Sequence, residues 1–261
     1  MSIRAQLANS INTVLRPLHV QLVPGTSADP AIKDFLPARK IMAAARKAGL
    51  PLGAYMDQTF AKPGATPELV LAMLKLADLP DRCDTILEIG PGTGRFAEEI
   101  IAVAHPAHYE IYETAKDWLP RLRQLPNVVM READGRTLSQ TPDGSVDFVH
   151  AQKLFVYAEF FATAGYLTEM ARVVRPGGAV AFDIVTEDCL DDETVQEWIR
   201  MPSFYQPIPR SWALEFMRRR GLTLCGSHFT PLPPGTAELL VFRRELGRLA
   251  IQPEVLSQEF E

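Results

Sequence analysis

The stretch Ile86-Leu87-Glu88-Ile89-Gly90-Pro91-Gly92-Thr93-Gly94-Arg95-Phe96 joins a short apolar run to a glycine-dense turn and then to the start of a helix. Glycine is needed where a backbone turns with positive φ and lets a ligand approach without a Cβ in the way. A buried strand that ends in such a turn therefore offers an edge on which a nucleotide-type ligand can lie. The dinucleotide fingerprint G-x-G-x-x-G would require glycine at position 95, but Arg95 stands there and the third glycine comes one residue early, at Gly94. That spacing disfavours a nicotinamide dinucleotide.

Outward from this loop the pattern is one of short apolar runs separated by helical stretches, as in a parallel sheet built from βαβ units. Strands are expected at Thr85 to Ile89, His108 to Glu113, Val128 to Glu132, Val146 to His150 and Val180 to Val185. Helices are expected at Phe96 to Val103, Ala115 to Leu125 and Phe160 to Val174, the last stopped by Arg175-Pro176-Gly177-Gly178, and again near Ser211 to Arg220. The runs Leu222 to Phe229 and Glu238 to Arg243 flank a connection too short for a parallel crossover, which predicts an antiparallel pair at a sheet edge. Before residue 80 the reading is helical. An amphipathic helix carries Ile3, Leu7, Ile11, Val14, Leu15 and Leu18, a second helix covers Ala38 to Leu50, and Thr66-Pro67-Glu68 supplies an N-cap, a first-turn proline and an acid before Leu69 to Leu79.

The chain has 261 residues, 47% of them apolar and 23% charged, enough for a sizeable core and unlike a disordered or fibrous protein. A net charge of -5 argues against a protein whose affinity comes from neutralising phosphates. Cys83, Cys189 and Cys225 are widely spaced and include no C-x-x-C, so neither a disulfide framework nor a cysteine-rich zinc site is indicated. No apolar run approaches the roughly 18 to 20 residues of a membrane span, and the first residues lack the order of a secretory signal. The expected location is cytoplasmic.

With these elements in order, the sequence resembles the class I S-adenosylmethionine-dependent methyltransferases, whose first motif is an acid followed by G-x-G-x-G after the first strand. Four further segments match: the acid-ended Tyr109-Glu110-Ile111-Tyr112-Glu113, the stretch Arg131-Glu132-Ala133-Asp134-Gly135, the fourth-strand segment Pro142 to Gln152, and Arg175-Pro176-Gly177-Gly178 before the fifth strand. The resemblance covers roughly Asp84 to Arg243. It implies an α/β fold, a doubly wound, seven-stranded, mostly parallel sheet with its last strand antiparallel and an N-terminal helical cap. The cap would span residues 1–80, the methyltransferase domain 81–246 and a tail 247–261. It implies S-adenosyl-L-methionine as cofactor, held by Tyr55, Glu88, Gly90, Gly92, Gly94, Glu113, Asp134, Gly135 and Gln152. Glu113 inherits the ribose hydroxyls and Asp134 the adenine amino group, while Tyr55 closes over the cofactor or simply packs.

Methyl transfer from a sulfonium needs alignment, exclusion of water and, for a hydroxyl acceptor, a base. His150 ends the fourth strand, where ligands of open α/β sheets bind, and Asp183 lies on the adjacent strand; these are the expected catalytic pair, with a strand histidine turned into the helix layer as the alternative. Glu187, Asp188, Asp191 and Asp192 follow Asp183 and could hold a divalent metal such as Mg²⁺ with His150, although acids favoured by a helix N-terminus, as Asp191, Asp192 and Glu193 would be, are the simpler account. Phe204 and Tyr205 fall where the family forms one wall of its acceptor pocket. No Asn/Asp-Pro-Pro-Tyr/Phe motif follows the fourth strand, which shifts the expectation from an amino to a hydroxyl acceptor, a saccharide or glycolipid precursor by a loose likeness of Ile11 to Leu22 to methyltransferases of polysaccharide assembly. The expected partners are a small-molecule acceptor and no nucleic acid, with a homodimer left open. The alternatives are an RNA methyltransferase and a non-catalytic cofactor-binding module of the same fold.

Overall fold

The computed structural model describes residues 36–79, 83–200 and 205–246. The expected helix over residues 3–18, Phe204 and the tail lie outside the described residues. The apolar runs become seven strands: β1 (Thr85–Ile89), β2 (His108–Tyr112), β3 (Val128–Arg131), β4 (Val146–Ala151), β5 (Val174–Ile184), β6 (Leu222–Leu232) and β7 (Gly235–Arg244). They form one sheet in the order β3-β2-β1-β4-β5-β7-β6. The pairs among β1 to β5 are parallel, whereas β7 runs antiparallel to both β5 and β6. The sheet thus has the expected doubly wound form, and its antiparallel strand lies inside the edge, with β6 outermost. The chain steps from β1 outward to β2 and β3 and then returns to β4 on the other side of β1, so the carboxyl ends of β1 and β4 define the switch point at which such sheets bind ligands.

Both faces are covered, so all of β4 and all but the first residue of β1 are buried. On one face Leu87, Val149 and Phe182 pack with Leu167 and Met170 of α6 (Phe160–Val173) and with Ala213 and Met217 of α8 (Arg210–Arg218). The other face carries Ile86, Glu88, Tyr109, Phe148 and His150, brought side by side by the parallel register. Three helices precede the sheet: α1 (Ala38–Ala48), α2 (Leu52–Phe60) and α3 (Ala65–Ala77). They belong with the sheet to the unit that begins at Leu36. Helix α3 packs against β5, β6, β7 and α4 (Arg95–Ala104).

Three local expectations are corrected. The helix expected over Ala115 to Leu125 shrinks to the single turn α5 (Leu119–Leu122), because Asp117 and Trp118 are engaged elsewhere: the Asp117 carboxylate accepts the Ala38 amide, and the Trp118 indole donates to the Leu36 carbonyl. Thr66 does not cap α3. Its hydroxyl and amide both donate to Asp57, and the helix starts instead from Gly64 in the left-handed region. Strand β5 begins at Val174, six residues before the expected start, and takes the Arg-Pro-Gly-Gly segment into the strand with a register shift opposite Val146 and Phe148.

Candidate cofactor and acceptor site

The loop between β1 and α4 places Gly90, Gly92 and Gly94 all at positive φ. The three are not equivalent. A Cβ on Gly94 would stand 2.8 Å from Leu122 Cδ2, so this glycine serves close packing of α4 against α5, and one on Gly90 would stand 3.2 Å from the Leu154 side chain. A Cβ on Gly92 would meet nothing within 4 Å. Gly92 is the position whose bare side is open to a ligand. Arg121 braces the loop from outside, donating from Nε to the Thr93 carbonyl at 2.9 Å and pairing with Glu98 in the first turn of α4.

Glu113, just past β2, turns its carboxylate across this loop. Its Oε2 accepts the Gly92 amide at 2.7 Å and its Oε1 the Ala115 amide at 2.7 Å. Burial raises its pKa from the usual carboxylate value, against these backbone hydrogen bonds, which lower it. Asp134 lies exposed beyond β3, where Oδ1 accepts the Arg136 and Thr137 amides and Oδ2 the Thr137 hydroxyl. Its partial burial pulls its pKa upward, yet those hydrogen bonds outweigh it and hold the carboxyl below its usual value. Gly135 follows at positive φ and is buried. Tyr55 sits half-buried on α2, the helix that passes beside Arg95: a Cβ on Gly53 would stand 3.7 Å from Arg95 Cβ.

Under the loop, Glu88, Tyr109 and His150 are fully buried. The Tyr109 hydroxyl donates to Glu88 Oε2 at 2.7 Å and lies 2.8 Å from His150 Nε2. Burial pushes Glu88 up to about 8 and His150 down to about 3. This placement corrects the general-base expectation. A base must meet the acceptor's proton and hold it, whereas His150 is enclosed, stacked on Phe148, committed to Tyr109 and too weakly basic.

Asp183 does not meet His150 either. Its Oδ1 accepts the Lys153 amide at 2.7 Å, and its Oδ2 lies 2.9 Å from Lys153 Nζ, which also donates to the Thr230 hydroxyl at 2.5 Å. Lys153 itself takes a left-handed backbone conformation at the end of β4, and Arg95 pairs with Asp57 at 3.2 Å. Arg95, Lys153, Asp57, Thr66, Phe96 and Thr230 line a small cleft between the α2–α3 pair, α4 and the end of β6. Sequence reading missed this cluster. Arg95 entered it only as a departure from a glycine spacing, and Asp57 and Lys153 carried no local signal at all.

The acids after β5 do not converge on a metal. Asp191 accepts the Thr194 amide at 2.7 Å as the cap of α7 (Asp192–Arg200), Glu187 accepts the Arg210 amide, and Asp188 faces Arg210. Among the described residues no group of three His, Cys, Asp or Glu could hold a metal ion. Tyr205 packs between Tyr157 and Trp198 and donates its hydroxyl to the Pro233 carbonyl.

The residues fit the cofactor implied by the sequence. Two buried oxygens, Glu88 Oε1 and Gln152 Oε1, have no hydrogen-bond partner among the described residues, and both belong to the carboxyl ends of the strands that form the switch point. Gln152 is otherwise fixed by its amide nitrogen, 3.3 Å from Met73 Sδ of α3. Unpartnered buried acceptors at the switch point suit a ligand that brings N–H or O–H donors.

Comparison with known proteins agrees with this geometry. Residues 87–182 match the family described as Methyltransferase domain. An uncharacterized methyltransferase-like protein of Schizosaccharomyces pombe is 33% identical over 111 residues, 42% of this chain and 41% of that protein, so the chain spans about two fifths of the curated relative's length. A chain from the Haloferax volcanii complex of the Trm112 methyltransferase activator with a methyltransferase superposes with a TM-score of 0.57 at 16% identity, over 78% of this chain and 96% of its own. Magnesium protoporphyrin IX methyltransferase of Synechocystis PCC 6803, solved with bound S-adenosylhomocysteine, superposes with a TM-score of 0.54 at 10% identity, over 93% and 100%. At these identities the structures share the fold, a Rossmann-like methyltransferase sheet.

Proposed function

We propose that this chain, with its methyltransferase-domain match over residues 87–182, transfers a methyl group from S-adenosylmethionine to a hydroxyl of a small polar molecule, of the saccharide or glycolipid-precursor class. The observation that carries the reading is the loop: three positive-φ glycines, the open side of Gly92, and Glu113 held across its amide. Each Glu113 oxygen accepts one backbone N–H and retains a lone pair for a ribose hydroxyl. Asp134 and Gly135 serve the adenine end, Glu88 and Gln152 the amino-acid end, and Tyr55 closes from α2.

When bound, the donor supplies a methyl group already activated on a sulfonium for in-line displacement. The protein's share is to align, to exclude water and to receive the acceptor's proton. Arg95 and Lys153 line a small cleft, each held in place by a buried acid, Asp57 and Asp183. Asp183 acts there through Lys153 as a positioning residue.

Calorimetry with S-adenosylhomocysteine tests the cofactor, and intact-mass detection of methyl transfer onto a panel of small saccharides tests the acceptor. Absence of S-adenosylhomocysteine binding by the wild type would sink the reading. Binding without transfer to any sugar would remove the saccharide and leave the donor site standing.

A further inference from the structure

Helix α1 buries Ala38, Ile41 and Ala45 against the rest of the protein and exposes Arg39, Lys40, Arg46 and Lys47 on the other side. At 3.6 residues per turn the four cations fall within an arc of about 120°, in two rows about 10 Å apart along the axis. Ala43, exposed and small, lies between the rows. The helix sequence contains no acid, and among the described residues none of the four forms a salt bridge or a side-chain hydrogen bond. Elsewhere the basic residues are commonly paired: Arg121, Arg131, Arg172 and Arg175 each hold a carboxylate.

An ordinary solvated helix face accounts for one half of this arrangement and not for the other. Arg46 and Lys47 occupy the last turn, where the helix dipole favours cations. Arg39 and Lys40 occupy the first turn, where the dipole opposes them, and no acid stands three or four residues further on to offset them. Asp117 lies at that end of the helix, but its carboxylate accepts the Ala38 amide. The four like charges repel one another, and a polyanionic surface laid along the helix would relieve both that repulsion and the misplaced first-turn charge.

We infer that the outer face of α1 docks the protein on an anionic lipid surface, with Arg39, Lys40, Arg46 and Lys47 against the headgroups. Clustered cations are all that such a surface requires. A nucleic acid fits less well, because Ala38–Ala48 offers no aromatic side chain on which a base could stack and the net charge of -5 disfavours a partner bound through many phosphates. The apolar residues of α1 are turned inward, so the contact is electrostatic and peripheral, without insertion. It also reaches the proposed donor site. The Ala38 amide on Asp117 and the Trp118 indole on the Leu36 carbonyl tie the start of α1 to the segment that follows Glu113 and carries the exposed Lys116. Docking through α1 therefore brings the flank of the glycine loop to the surface, whatever the acceptor is.

Cosedimentation of the full chain with phosphatidylcholine vesicles, with and without about 30% phosphatidylglycerol, at about 50 and about 500 mM salt, reads this directly. Neither methyl donor nor acceptor is present, so the result is separate from that of the proposed activity. The wild type should bind the anionic vesicles at low salt, leave them at high salt and ignore phosphatidylcholine alone. Each cation near an anionic surface is worth about fivefold in binding, so Arg39→Gln with Lys40→Gln, and Arg46→Gln with Lys47→Gln, should each weaken it about 25-fold. Arg218→Gln with Arg219→Gln removes the same charge from exposed partners of Glu215 and should change binding less than about twofold. Because Arg39 and Lys40 oppose the helix dipole, their double variant should unfold at no lower urea concentration than the wild type. Wild-type protein that ignores anionic vesicles at low salt overturns the inference. So does binding unchanged in both α1 variants, or a loss in the Arg218 and Arg219 control equal to theirs, the mark of net charge alone. An RNA hairpin bound more tightly than the vesicles, and lost in the same α1 variants, would assign this face to nucleic acid and overturn it as well.

Discussion

Alanine at Gly92 and alanine at Gly94 should separate two jobs that the sequence writes with the same letter. Both positions have left-handed φ, 52° and 76°, so a side chain at either costs about 1 kcal/mol of backbone strain. At Gly92 nothing else is added, because the new Cβ has no neighbour within 4 Å. At Gly94 the Cβ lands 2.8 Å from Leu122 Cδ2 and 3.5 Å from Leu125 Cδ1, and shifting the buried Leu122 side chain adds about 1 to 3 kcal/mol of overpacking. Gly94→Ala should therefore be the less stable protein by roughly 1 to 3 kcal/mol, a difference of several degrees in Tm for a chain of this size. Cofactor affinity should run in the opposite order. The Gly92 methyl projects into the open side of the loop and should weaken S-adenosylhomocysteine by at least about tenfold, or 1.4 kcal/mol, while Gly94→Ala, if folded, should lose less. Urea unfolding and calorimetry on the same preparations decide it. Wild-type affinity in Gly92→Ala would mean that the open side of this loop is not where the donor lies.

Glu113→Ala should weaken S-adenosylhomocysteine by about 1 to 3 kcal/mol in calorimetry, as expected for lost charge-assisted hydrogen bonds; an unchanged Kd would remove the ribose role. Asp57→Asn strips the charge from a buried pair with Arg95 and weakens the acceptor of the Thr66 hydrogen bonds, so it should lower the urea-unfolding free energy by about 3 kcal/mol. A loss under about 0.5 kcal/mol would show that the pair contributes little beyond a surface contact. His150 has its pKa pushed from 6.5 down to about 3, so between these values the unfolded chain binds a proton that the folded chain refuses, and stability falls as pH falls through the window. His150→Leu should remove that share of the acid sensitivity, read from urea midpoints at about pH 4 and about pH 7.

What was legible in the sequence was whatever the backbone repeats locally. The run Thr85–Ile89, its glycines and the helix beginning at Arg95 could be read because burial on both faces and positive φ each demand particular residue types within a few positions. The short turn before Gly235 likewise announced an antiparallel pair. What failed was decided by distant partners. Thr66 looks like an N-cap until Asp57 takes its hydroxyl, and the 115–125 segment looks helical until Asp117 and Trp118 are drawn to Ala38 and Leu36. His150 was placed on the right strand end, and the alternation of faces left its direction open. The acid cluster after β5 resolved, as its simpler account had it, into helix caps and arginine partners. The polar cleft was invisible, since Asp57 and Arg95, and Lys153 and Asp183, are pairs that only the fold brings together.

The place of β7 has a consequence for how the protein is born. This strand is translated after β6 yet lies between β5 and β6, so at the ribosome the five-stranded parallel sheet is complete well before its neighbour exists. At about 5 to 20 residues per second, β5 waits several seconds with Val180, Phe182 and Ile184 along an open edge of unpaired N–H and C=O groups. β6 waits as well, for it hydrogen-bonds to β7 alone. A nascent chain is therefore most adhesive late in its synthesis, and a product cut short before Gly235 would behave as an aggregating species that burdens chaperones, not as a slightly shorter version of the same fold. Selection for clean translation thus acts on the ten residues of Gly235–Arg244.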